Sequence, residues 1–303
     1  MRWAVIAPTF DPYGLGKPPP LVPSAKRAEE LGFDAVWVGD HLVCAAPVLD
    51  SLCALAAAAA VTSRVDLGVS VLQLGLRHVV WTAKQLATID ALAPGRLRLG
   101  VGVGGEFEDE FEAAGVALAN RGARLEEALD VLPALLSGQR VDYEGAHLSV
   151  HSPPLLPAPA SPPPLSVGGR SDRALDRAAR RAEQWIGIWH GAGTVLSRRR
   201  HLAELAAKYG RPTPSVAMVV LVNVNDDRDV AREETAAALY GQYRMPLEKV
   251  ERWAALGPAG EVAQMLAAYM EAGVNELLLL PTSPDALGQY ERFVEVRRLV
   301  EDA

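Results

Sequence analysis

Short apolar runs without polar alternation punctuate the chain at residues 2–8, 35–38, 65–72, 97–103, 165–168, 185–189, 216–224 and 276–280. Such runs predict strands covered on both faces, as in a parallel sheet. Between them, residues 24–31, 49–62, 78–92, 108–114, 121–136, 171–182, 194–209, 228–240, 260–271 and 285–300 read as helices. Gly32, Pro94-Gly95 and Gly138 close three of these. Eight strands alternating with helices predict an α/β chain of the (β/α)8 TIM-barrel class with insertions, in preference to an open doubly wound sheet. Residues 139–164 depart from the alternation as a hairpin turning at Glu144-Gly145, followed by a proline-rich connector. A helix over 246–256 is expected within an insertion near 241–258. Strand–helix units resume directly after the prolines, so residues 1–303 are read as one domain.

Polar residues just past the carboxyl ends of barrel strands stand where such folds place their chemistry. Asp40 and His41 follow the second strand, and an imidazole there can deliver or accept a proton near neutrality. Ser70-Val71 ends the third strand, Gly102, Gly104 and Glu106 the fourth, and Trp189-His190 the sixth. The loop over 9–20, with Phe10, Asp11 and Tyr13, is irregular and expected to lie over another part of the molecule. Two glycine-rich loops compete for an anion. Residues 100–105 fit G-x-G-x-x-G, but Glu106, Glu108, Asp109 and Glu110 stand where a pyrophosphate would sit. These glycines are read instead as backbone against which a flat ligand lies. Gly168-Gly169-Arg170-Ser171 joins a strand to a helix, and its amides, guanidinium and helix N-terminus suit a phosphate monoester.

Charge and cysteine content narrow the picture. With 37 acidic against 30 basic residues the net charge is −7, which disfavours broad nucleic-acid or anionic-membrane binding. Two cysteines and six scattered histidines offer no metal spacing or disulfide framework, so no metal is expected. Pro8 and Asp11 come too early for a signal peptide, and the apolar run over 51–63 is shorter than a bilayer span. A cytoplasmic protein acting on a small molecule is the expectation.

In this order the motifs resemble the bacterial luciferase-like monooxygenase superfamily, particularly its deazaflavin (coenzyme F420) branch. The resemblance rests on Gly32-Phe33-Asp34 through Asp40-His41, Gly68-Val69-Ser70-Val71, Lys84-Gln85-Leu86-Ala87-Thr88-Ile89-Asp90 and Leu99-Gly100-Val101-Gly102-Val103-Gly104. Glu110-Phe111, Arg121-Gly122-Ala123-Arg124-Leu125-Glu126-Glu127 and Val167-Gly168-Gly169 extend it. It implies the same barrel, F420 or alternatively FMN as cofactor, and a homodimer for which the 49–62 helix is a candidate surface. It also implies a cofactor phosphate at Gly168, Gly169, Arg170 and Ser171, and a non-proline cis peptide at Ser70–Val71 behind the ring. Gly102 and Gly104 would back the ligand. His41 would lie beside the reactive carbon with Asp40 holding that corner, and Glu106 would be a second acid/base. Phe10, Trp189 and His190 are the candidate substrate contacts. Leu42-Val43-Cys44-Ala45-Ala46 lacks the aromatic found in glucose-6-phosphate-oxidising relatives, so reduction of an activated C=C or C=N bond is preferred. The alternatives are an FMN-dependent monooxygenase and a non-catalytic flavin-binding protein of the same fold.

Overall fold

The computed structural model describes residues 1–17 and 19–302. In chain order its strands are β1 (Arg2–Ile6), β2 (Ala35–Val38), β3 (Asp66–Leu72), β4 (Leu97–Val101), β5 (Val141–Glu144), β6 (Ser149–Ser152), β7 (Leu165–Gly168), β8 (Gln184–Ile188), β9 (Ser215–Val224), β10 (Ala255–Gly257) and β11 (Glu276–Pro281). The helices are α1 (Leu21–Glu30), α2 (Ser51–Ala59), α3 (Val79–Leu92), α4 (Glu108–Ala113), α5 (Arg121–Leu136), α6 (Asp172–Arg181), α7 (Ala192–Lys208), α8 (Arg228–Tyr243), α9 (Ala259–Glu271) and α10 (Ala286–Glu301).

Strands β11, β1, β2, β3, β4, β7 and β8 pair in parallel in that order, and β9 pairs with both β8 and β11. The sheet therefore closes into the eight-stranded parallel barrel that the alternation predicts. The antiparallel pair β5–β6 is the hairpin expected near Glu144-Gly145. Residues 246–256 are not helical as expected. Two 3₁₀ turns, Leu247–Lys249 and Glu251–Trp253, lead into β10, which pairs with the last residues of β9. β9 is ten residues long, and its end leaves an open edge that β10 covers.

The barrel interior is small and apolar. Ala4, Ala35, Ala217 and Leu278 surround Trp37, whose Nε1 reaches Glu276 Oε1 at 3.3 Å. Arg2, Asp66 and Arg98 form ion pairs at the amino-terminal ends of β1, β3 and β4, with contacts of 2.6 and 2.8 Å. A much larger cluster fills the layer between strands and helices, including the alanines of α2. Gly68 makes room for the indole, since a Cβ there would lie 2.3 Å from Trp37 Cε3. Gly68→Val is therefore expected to cost about 1–3 kcal/mol by overpacking, read as a lower urea midpoint with unchanged m value.

Candidate active site

The strand ends at the carboxyl face open into one cleft of about 1280 Å³. Phe10, Asp40, His41, Ser70, Val71, Gly102, Gly104, Glu106, Gly168, Gly169, Arg170, Ser171 and Trp189 all contribute to its lining. The loop after β1 forms part of the wall and lies against α8, where Gly241 lets the Pro12 carbonyl approach closely. Asp11 holds that loop by accepting from the N–H groups of Leu15 and Gly16, each at 2.9 Å.

His41 is 8% exposed, and its Nδ1 lies 2.8 Å from Oε1 of Glu110, which is fully buried. The Glu110 carboxylate also accepts from Leu42 N at 2.8 Å and from Gln73 Nε2 at 3.0 Å. Gln73 Nε2 also lies 3.2 Å from Nδ1, but that amide has Glu110 and Asp40 O as acceptors, so we read Nδ1 as donating to Glu110 and Nε2 as the nitrogen without a protein hydrogen-bond partner among the described residues. Around the imidazole stand the rings of Phe10, Phe107 and Tyr243, with centroids 5.7, 5.2 and 6.0 Å away. Burial, reinforced by the charge of Glu106, pushes the Tyr243 hydroxyl far up, so it stays neutral.

Asp40 acts as a brace. Its Oδ1 accepts from the Ser51 hydroxyl and from Arg77, both at 2.7 Å, and its Oδ2 accepts from Gln73 N at 2.9 Å. These bonds tie the exits of β2 and β3 to the start of α2. Glu106 lies at the cleft but is exposed, whereas Glu110, four residues on, holds the imidazole. Phe107, Glu110 and Phe111 follow the i, i+3, i+4 spacing of one helical face. A carboxylate on that inward face requires partners, and this is the signal that distinguishes Glu110 from the other acids in the run.

The Ser70–Val71 peptide is cis. Val71 points into a slot made by two glycines: a Cβ on Gly102 or Gly168 would lie 2.4 or 2.5 Å from its methyl groups. Gly104 has φ 61°, and a Cβ there would collide with the Gln73 amide. These glycines admit protein side chains, a different immediate reason from the flat-ligand contact expected of them.

At α6, the Ser171 side chain accepts from Ala174 N at 3.2 Å, so the serine caps the helix. Gly169 N already donates to Ile186 O at 3.2 Å, so the amides available to a ligand are those of the helix start beyond it. The Arg170 guanidinium lies 4.9 Å from the centroid of the Trp189 ring. Trp189 itself adopts a left-handed backbone with φ 55°. The chain turns there, and His190 lies outside the cleft lining, its ring 6.0 Å from that of Trp185. Burial, then Arg198 and Arg170, hold the His190 imidazole below the usual range.

A family model described as luciferase-like monooxygenase matches residues 1–256. The chain belongs to that family. The F420-dependent glucose-6-phosphate dehydrogenase of Beutenbergia cavernae is 30% identical over 303 aligned residues, covering 88% of this chain and 89% of its own. An F420-dependent secondary alcohol dehydrogenase, solved with an F420-acetone adduct, superposes with a TM-score of 0.85 at 21% identity, over 99% of this chain and 98% of its own. The monooxygenase RslO1 from Streptomyces bottropensis gives 0.81 at 22% identity, over 100% and 98%. Within this luciferase-like barrel, the buried His41–Glu110 pair and the capped start of α6 line or support the same cleft, separated along its wall by β3 and β4.

Proposed function

We propose that this luciferase-like protein is an F420-dependent oxidoreductase that passes a hydride between the deazaflavin and a small organic substrate, reducing an activated C=C or C=N bond. The observation that carries the reading is the His41–Glu110 pair on one wall of a cleft whose other wall ends in a capped helix N-terminus with Arg170. The activities of the Beutenbergia relative and of the alcohol dehydrogenase support the choice of cofactor. The residues fit such a group. The start of α6 and Arg170 suit an anionic tail, and Val71, wedged between Gly102 and Gly168, offers an apolar back to a ring.

Bound there, the deazaflavin supplies a two-electron hydride carrier. His41 presents Nε2 as the proton-transferring atom, and Glu110 fixes the ring that bears it. The rings of Phe10, Phe107 and Tyr243 each meet the imidazole in a T-shaped arrangement. A homodimer belongs to the same proposal, with α2 and its exposed Cys53 as candidate surface.

An FMN-dependent monooxygenase is the second reading, favoured by the family's own description. Fluorescence titration of the purified protein with F420 and with FMN separates the two. F420 is expected to bind more tightly, and Arg170→Ala to weaken it about tenfold, as for loss of one charge-assisted contact. Tight FMN binding with no response to F420 would replace the proposal by its rival.

A further inference from the structure

We infer that the substrate end of this cleft is built for an uncharged, predominantly apolar molecule, such as an α,β-unsaturated ketone, and discriminates against phosphorylated or carboxylated substrates. The inference rests on the cofactor reading above and adds the substrate class to it.

The cleft is divided by charge. All four of its arginines, Arg121, Arg170, Arg173 and Arg177, come from α5 and from the β7–α6 segment. The opposite arc, built by the exits of β8, β9, β11 and β1, presents Ile188, Val219, Leu280, Pro281, Phe10 and Tyr13. The Thr9 hydroxyl and the Trp189 Nε1–H of this arc have no hydrogen-bond partner among the described residues, two neutral groups that a carbonyl or hydroxyl could meet, while other polar groups there are engaged. The Tyr13 hydroxyl donates to Thr282 O at 2.8 Å, and the Asp11 carboxylate accepts two loop amides at 2.9 Å. Lys17 is the arc's remaining charge among the described lining residues, and it is solvent-exposed on the outer turn of the loop.

An anion placed beside His41 would meet the buried Glu110 carboxylate and three aromatic rings. Glu106 lines the same cleft, a second carboxylate rather than a cation. The cations nearest that wall are already engaged, Arg77 with Asp40 at 2.7 Å and Arg121, beside Gly105, with Leu118 O at 2.9 Å, so the group would lose its hydration for little gain. A neutral enone loses little water and gains aliphatic contact. In its reduction the C=C π bond would break, and hydride supplied by reduced F420 would form the C–H bond at the β-carbon. His41, having first taken a second proton from solvent onto Nε2, would give that proton to form the C–H bond at the α-carbon. The enone would gain two electrons and two hydrogens, reduced F420 would be oxidised, and the proton it sheds to solvent would balance the one His41 takes up.

The test uses the full chain. F420 binding is first read by fluorescence. Oxidation of reduced F420 is then followed with 2-cyclohexen-1-one and with glucose 6-phosphate, and binding of both probes is read by saturation-transfer NMR with and without cofactor. The enone is expected to exceed the sugar phosphate in kcat/KM by at least about a hundredfold, the scale of an unpaired buried charge. Leu280→Lys is expected to raise the enone KM by about tenfold with F420 affinity unchanged, while Leu280→Met, which keeps the shape, does not. Glucose 6-phosphate turned over as efficiently as the enone, no saturation transfer to the enone, or an unmoved KM in Leu280→Lys would each overturn the inference. Enone binding without F420 binding would keep this apolar wall and remove the cofactor reading alone.

Discussion

Alanine at position 41 is expected to lower kcat with F420 by about 10²–10⁴-fold, the usual contribution of a positioned acid/base, with F420 affinity close to that of the parent. The imidazole lines the cleft, yet the helix start and guanidinium that suit an anionic tail belong to α6 and its preceding loop, which His41 does not touch. Removing the ring leaves Glu110 with Leu42 N and Gln73 Nε2 as donors, so the buried carboxylate is not stranded and the corner keeps its shape. A melting temperature within a few degrees of the parent would confirm that the loss is chemical. Exogenous imidazole is expected to recover part of the rate, because the vacated space is bounded by rings that accept a planar molecule. Full turnover in the alanine variant would remove His41 from the reaction. No turnover in the parent with any substrate, alongside tight F420 binding, would favour a carrier.

The barrel was readable because its strands are apolar on both faces, a pattern that few other arrangements of this length require. The stretch over 246–256 misled because its spacing resembles a helix, whereas the open end of β9 recruits Ala255–Gly257 as a strand. That competition depends on how far β9 outruns the barrel, which local propensity does not encode. The site shows the same division. His41 and the start of α6 announce themselves by residue type at strand ends. Trp189 and His190 are equivalent in sequence until the left-handed turn at Trp189 sends their side chains apart. Choosing among Glu106, Glu108, Asp109 and Glu110 needed the phase of one short helix relative to Phe107 and Phe111.

Glu110→Gln is expected to reduce kcat by about 10²–10⁴-fold, the full scale of the acid/base contribution it supports, while KM and F420 affinity change little. Glutamine preserves the shape but replaces one acceptor by a donor. If its oxygen faces His41 Nδ1 and Leu42 N, its amide meets the Gln73 amide, which already donates to Asp40 O at 3.1 Å. If it is turned over, its N–H groups face Leu42 N–H and Nδ1, and the imidazole proton must move to Nε2. Either arrangement leaves a buried donor unpaired, at about 1–3 kcal/mol, and changes the nitrogen that faces the cleft or the hold on the ring. Side-chain ¹⁵N shifts of His41 report the tautomer directly. The parent's neutral imidazole should show the Nδ1–H form, and that of Glu110→Gln a different tautomer or a mixture. Some loss of thermal stability is expected either way, but a merely structural carboxylate would lower F420 affinity without moving those shifts. Parent-like kcat in a variant whose tautomer has changed would break the link between Glu110 and proton transfer at Nε2.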